Sequence, residues 1–432
     1  MPSWLSSVPI ETMRTLAIVY AIAVVLLIAL VLPFGVVARR RARWYAALGL
    51  AALAGAGIGW GLVWLLGDVD DLFGVQLTTV VHLAGAGLFA GLAVAVVNLV
   101  RTRWWRKAIA VVAIPAVLLG AGVMINEDFA YYPTLGDVVG DTGVGALVAG
   151  SIRASAEPLS RWRPPADMPT EGSLGTVRIP GTVSHFAARD AWVWLPPAAL
   201  VKDPPRLPVV VGLSGQPGQP SDLFLAGHLD TALDAVARAH HGVAPILVVP
   251  DQLGSPSSNP MCVNSRLGNV RTYLTVDVRH WILAHEPVSV NRRDWTIAGF
   301  SEGGTCAIQL GAGYPAMFGG IVDVSGELAP RNGTVAQTIA RGFHHSKAAY
   351  RAAAPLHLLA THRYPRTTAA FAVGGDDQRY RPIMVRMSAA AAAAGMTVQR
   401  WAVPGTAHDW HTASQGLAWG IGRLVPLWGL PR

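Results

Sequence analysis

Asp294-Trp-Thr-Ile-Ala-Gly-Phe-Ser-Glu-Gly-Gly304 is the stretch from which the rest of this chain is read. Trp295 to Ala298 is a short apolar run. Gly299-Phe300-Ser301-Glu302-Gly303 then has the G-x-S-x-G spacing of a nucleophile elbow. In such a turn the serine stands between a strand and a helix, with its hydroxyl raised above the sheet edge. Glycines two residues to either side let neighbouring backbone come close. The amide of Glu302 would then point at a forming oxyanion. In a chain with 46 glycines the bare pattern arises easily by chance. The strand before it and the helical Gly303 to Leu310 after it make it specific.

Outward from the elbow, strands and helices alternate. Gly175 to Ile179, Asp190 to Leu195, Leu207 to Leu213, Ala244 to Val249, Gly320 to Val324, Thr368 to Val373 and Thr397 to Val403 read as strands. Leu223 to His240, Tyr273 to His285, Tyr380 to Gly395 and Trp410 to Leu424 read as helices. This alternation predicts an α/β domain over residues 172–432, a mostly parallel sheet with helices on both faces. The first two strands would add an antiparallel edge.

A serine hydroxyl needs a base, and the base needs a partner that orients it. His408 follows the last strand, where this order of elements holds its base. His344, His345 and His411 are less well placed. The preceding strand runs into Gly374-Gly375-Asp376-Asp377. Asp377 is the expected acid, Asp376 the alternative, and Glu327 a weaker third choice. A second oxyanion amide is expected from Ser214-Gly215-Gln216-Pro217-Gly218, at Gln216, since Pro217 has no donor.

With these pieces in place, residues 172–425 resemble the esterase D, enterochelin esterase and mycolyltransferase group of α/β-hydrolases. The matching stretches are Trp192 to Pro197, Leu213-Ser214-Gly215, Val248 to Asp251, Gly268-Asn269 to Tyr273-Leu274, Gly299 to Gly304 and Gly405 to Trp410. The resemblance implies a serine esterase or an acyltransferase, with no cofactor. This chain departs at Glu302, where the group often has an apolar residue, and at Ser214, where many members have His or Asp.

The N-terminal part differs in kind. Hydrophobic residues make up 52% of the chain and charged residues 14%, a balance that points to membrane segments. Leu16 to Ala38, Trp44 to Gly67, Leu77 to Val100 and Ala108 to Asn126 each reach or approach the ~20 residues that span a bilayer. They predict a four-helix transmembrane region over residues 1–126, joined by a connector at 127–171. Residues 1–126 hold nine Lys/Arg against four Asp/Glu, and the remainder 25 against 22. The basic excess thus lies beside the spans, and it argues for membrane orientation, not nucleic acid binding. Arg39 to Arg43 and Arg101 to Lys107 mark cytoplasmic loops. Both termini and the α/β domain would then be extracytoplasmic. His82 and Asn98 are polar positions within the third span, read either as a functional path or as hydrogen bonds between helices.

Cys262 and Cys306 are the two cysteines, and neither belongs to a cluster with metal-ligand spacing. In this fold they follow neighbouring strands, and an oxidising compartment would favour a bridge between them. The expected partners are the lipid bilayer and an acyl ester or glycolipid substrate. An inactive envelope-binding scaffold and a channel are the readings of another class.

Overall fold

A computed structural model describes residues 7–34, 37–100, 102–147, 155, 158–159 and 161–431. The chain forms two compact units, Met1–Thr142 and Gly143–Arg432.

In the first unit four helices are long and apolar enough to cross a membrane. They are α1 (Met13–Val31), α2 (Arg41–Val63, continued by a wider turn to Val69), α3 (Thr79–Leu99) and α4 (Trp104–Phe129). Thr12 and Thr78 cap α1 and α3, each hydroxyl accepting a first-turn amide. Gly55 and Gly59 of α2 lie so close to the backbone of α3 at Phe89 and Gly85 that any Cβ would collide. Outward faces carry Ile18, Ile22, Val25, Leu53 and Val111, all more than half exposed. Such a surface is costly in water and suited to lipid.

α4 starts before the expected Ala108, because Arg106 is buried rather than sitting in a loop. Its guanidinium donates to the carbonyls of Leu30 (2.8 Å), Leu32 and Phe34, and to Asn98 Oδ1 (2.7 Å). It thereby satisfies the orphan carbonyls at the end of α1. Asn98 thus acts as a link within this cap. His82 bridges helices: Nδ1 lies 2.9 Å from the Thr78 carbonyl and Nε2 3.2 Å from Asp68.

The second unit holds an eight-stranded sheet. Its strands are β1 (Ser173–Val177), β2 (Ala191–Leu195), β3 (Val209–Leu213), β4 (Ile246–Val249), β5 (Trp295–Phe300), β6 (Gly320–Val324), β7 (Thr368–Gly374) and β8 (Thr397–Val403). Their order is β1-β2-β4-β3-β5-β6-β7-β8. β1 and β2 are antiparallel to their neighbours, and β4 through β8 run parallel. β3 and β5 are buried along their whole length, which is why both read as unbroken apolar runs.

The helices are α5 (Leu229–Ala239), α6 (Val278–His285), α7 (Glu302–Gly313), α8 (Val335–Gly342), α9 (Lys347–Ala353), α10 (Pro355–Thr361), α11 (Tyr380–Ala393) and α12 (Trp410–Trp428). α5 packs with α12, while α10 packs with both α7 and α11. The expected helix over 223–240 is interrupted: a short turn ends at Leu225, and His228 takes a left-handed φ of 50° before α5 begins. Helices α8 to α10, between β6 and β7, were not foreseen. Thr334 and Gln337 form a capping box there, a signal legible in the sequence.

Candidate active site

β5 and α7 meet at Ser301, whose φ and ψ are 58° and −116°. A serine pays strain in that region, so the turn must be held from outside. Ser301 N donates to the Val324 carbonyl (2.8 Å), and the Ser301 carbonyl accepts from Thr305 N (3.0 Å). A Cβ on Gly299 would strike the Gly303 backbone, and one on Gly303 would strike the carbonyls of Leu213 and Ser214. The two glycines therefore allow α7 to start directly against the ends of β3 and β5.

His408 reaches this turn from the loop after β8. Its Nε2 lies 2.9 Å from Ser301 Oγ, and its Nδ1 lies 3.3 Å from Asp377 Oδ2. A proton on Nδ1 satisfies both contacts. His408 is 8% exposed and Asp377 4%. The other Asp377 oxygen accepts the amides of Arg379 (3.0 Å) and Tyr380 (2.8 Å), so the carboxylate is fixed from behind. Asp376 is exposed, as are His344, His345 and His411. Glu327 accepts from Arg331 (3.2 Å) and from the Tyr380 hydroxyl (3.4 Å) instead of meeting His408.

Tyr380 is a residue the sequence reading passed over. Its ring centroid stands 4.1 Å from that of His408, and Phe300 stands at 5.0 Å on the imidazole. The two rings confine the imidazole. Burial, reinforced by the Glu327 carboxylate, pushes the Tyr380 phenol far up, so it remains a hydrogen-bond donor.

The loop after β3 runs beside the nucleophile. Gly215 is close enough that an added Cβ would lie 3.5 Å from Ser301 Cβ. Gln216 is half-buried, and its side chain donates to the Ser257 carbonyl (3.2 Å). Two unforeseen residues hold this loop. Arg189 donates to the Gly218 carbonyl (3.1 Å) and pairs with the buried Asp251 at 2.7 Å. Burial alone would raise the Asp251 carboxyl, but hydrogen bonds and charge from Arg189 outweigh it and hold the group low. Gln252 donates to the Ser214 carbonyl (2.7 Å) and to Glu302 Oε2 (3.2 Å), joining the β3 loop to the first residue of α7.

Cys262 and Cys306 form a disulfide, although the strands they follow, β4 and β5, are not the neighbours expected but flank β3 on its two sides. Glu302 Oε1 lies 3.0 Å from Cys306 Sγ. A disulfide sulfur has no proton to give, so a carboxylate gains nothing there, whereas a neutral carboxyl can turn its own proton to the sulfur. Burial, with a further push from Glu327 and against the Gln252 hydrogen bond, raises Glu302 to about 8. Cys262, Glu302 and Cys306 are also a group of metal-ligand type among the described residues, but the two sulfurs are bonded to each other. Asp323 of β6 is buried as well and is pushed up to about 7 by burial. It accepts the Gly326 amide (2.9 Å) and props the turn that receives Ser301 N.

A serine at a strained strand-to-helix turn, a histidine on its oxygen and a carboxylate on that histidine make up an acyl-transfer arrangement. The family profile described as "Putative esterase" matches residues 188–419. The chain belongs to that family. As a member of it, the protein is a serine hydrolase or acyltransferase acting on esters. An uncharacterised protein of Corynebacterium glutamicum is 34% identical over 302 residues, 67% of this esterase and 70% of the relative. Two solved structures share the fold at 17% identity and a TM-score of 0.50. One is a ferulic acid esterase, covering 59% of this chain and 98% of its own. The other is an S-formylglutathione hydrolase from Agrobacterium tumefaciens, covering 60% of this chain and 97% of its own.

Proposed function

We propose that this esterase is anchored in the membrane by residues 1–126 and carries its catalytic domain, residues 172–432, outside the cell. There it cleaves ester-linked acyl groups of the envelope through Ser301, His408 and Asp377. One observation carries the reading: a single buried imidazole touches Ser301 Oγ with one nitrogen and Asp377 with the other, at 2.9 and 3.3 Å.

In the reaction Ser301 Oγ attacks the ester carbonyl and its proton passes to His408 Nε2. Asp377 steadies the imidazolium through Nδ1. The amides of Glu302 and Gln216 hold the oxyanion. Collapse expels the alcohol, which takes the proton from His408 and leaves an acyl-enzyme on Ser301. Water then releases the acid, or a sugar or lipid hydroxyl accepts the acyl group. The Ser301–His408–Asp377 arrangement, a half-buried serine backed by a buried histidine and aspartate, favours an enzyme over a binding scaffold.

A fluorophosphonate probe tests the chemistry. It should label the full-length protein once, on the peptide containing Ser301, and Ser301→Ala should take no label. Labelling elsewhere overturns the assignment. Product analysis with and without a glycolipid acceptor separates hydrolysis from transfer.

A further inference from the structure

Helices α1, α3 and α4 enclose a furrow of about 660 Å³. Its lining includes small residues, among them Ala84 and Gly87 of α3 and Gly120 and Ala121 of α4, beside larger apolar ones such as Leu27 and Val117. One end is polar. Tyr20 Oη donates to Glu127 Oε2 (3.3 Å), and Thr78 Oγ1 donates to Asp128 Oδ2 (2.6 Å). Tyr20, Glu127 and Asp128 all line that end, and among the described residues no lysine or arginine lines the furrow. Along α4 the lining runs from Val117 to Glu127, or ~15 Å at 1.5 Å per residue. That equals about half of a 30 Å hydrocarbon core, the depth of one leaflet.

We propose that the furrow holds one acyl chain of a lipid in the outer leaflet whose head carries hydroxyls and no net negative charge, a neutral glycolipid. The inference rests on the membrane orientation proposed above. The apolar length matches one tail, and the acidic end falls where the head must lie. Two carboxylates accept sugar hydroxyls through charge-assisted hydrogen bonds. They repel a phosphate in the same place, and the low dielectric near the core strengthens the repulsion. The bundle would then present a lipid and do more than anchor the enzyme.

Two substitutions can fill the furrow without disturbing the backbone. A Cβ on Gly87 meets nothing within 4 Å, and one on Gly120 meets only Ala23 Cβ at 3.9 Å. The full-length protein in nanodiscs is exposed to equal amounts of a neutral diacyl glycosyl lipid and phosphatidylglycerol of the same chain length. Retained lipid is read by native mass spectrometry. Wild type should retain the glycolipid on the order of 10-fold over phosphatidylglycerol, a preference of one decade in affinity. Gly87→Leu with Gly120→Phe should lose retained lipid by a similar factor. Glu127→Gln with Asp128→Asn should keep a lipid but lose the preference. Equal retention of both lipids by wild type, or retention unchanged in the filled furrow, overturns the proposal. Hydrolysis of a soluble nitrophenyl ester verifies that each variant is folded. Vesicle flotation tests the membrane reading separately: a chain that floats yet shows no preference sinks the furrow alone.

Discussion

Replacing Glu302 by Gln should stabilise the protein, and more so as pH rises. The unfolded chain ionises this carboxyl near 4.5, while in the fold it stays neutral to about 8, chiefly because it is buried. Between those values folding takes up a proton. Here the folded group binds the proton and the unfolded group does not, so stability falls by ~1.4 kcal/mol for each pH unit. Across the window from 4.5 to about 8 the ceiling is ~5 kcal/mol. Glu302 retains some exposed surface, so ~2–3 kcal/mol is expected. Glutamine keeps the shape and the Gln252 contact but does not titrate. Wild type and Glu302→Gln should therefore melt alike near pH 4.5 and diverge up to pH 8, with a constant gap above it. Asp323 titrates in both proteins and cancels from the difference. Tryptophan fluorescence during thermal unfolding of the detergent-solubilised full chain, at several pH values from 4.5 to 9, reads the gap. Parallel curves over that range would refute the buried neutral carboxyl.

Other expectations concern chemistry, covalent structure and topology. Ser301→Ala should lower nitrophenyl ester hydrolysis by ~10³-fold or more with the fold intact. Asp377→Asn should lower it by about 10⁴-fold and Asp376→Asn little, and the reverse ranking would transfer the role to Asp376. Unreduced peptide mapping should recover Cys262 linked to Cys306. Removing both cysteines should cost ~4 kcal/mol in the chain-entropy estimate for their separation of 44 residues, measured as a shift in denaturant midpoint. A reporter fused after Gly172 should register outside the cytoplasm, and a cytoplasmic signal would overturn the orientation.

Some of this was legible because the signal is local. The elbow, the apolar strands and the spans are written in contiguous residues, and no distant contact is needed to read them. Arg106 was misread as a loop charge for the opposite reason. Its burial depends on the carbonyls of Leu30, Leu32 and Phe34, more than seventy positions earlier. Likewise Arg189 and Gln252 look like ordinary polar residues until the sheet brings Asp251, Ser214 and Glu302 to them.

The acid shows the division most clearly. Sequence alone determined that two aspartates follow β7 and that a histidine follows β8, and it fixed their chain order. Which aspartate faces the imidazole was decided by the tertiary structure. Adjacent residues leaving a strand point in different directions, so one of the pair must turn from the site. Here the chain bends so that Arg379 and Tyr380 donate their amides to Asp377, which leaves its second oxygen toward His408 and Asp376 toward solvent. The same holds for Glu302: its identity is sequence, but its neutrality comes from a burial that only folding supplies and that outweighs the opposing hydrogen bond from Gln252.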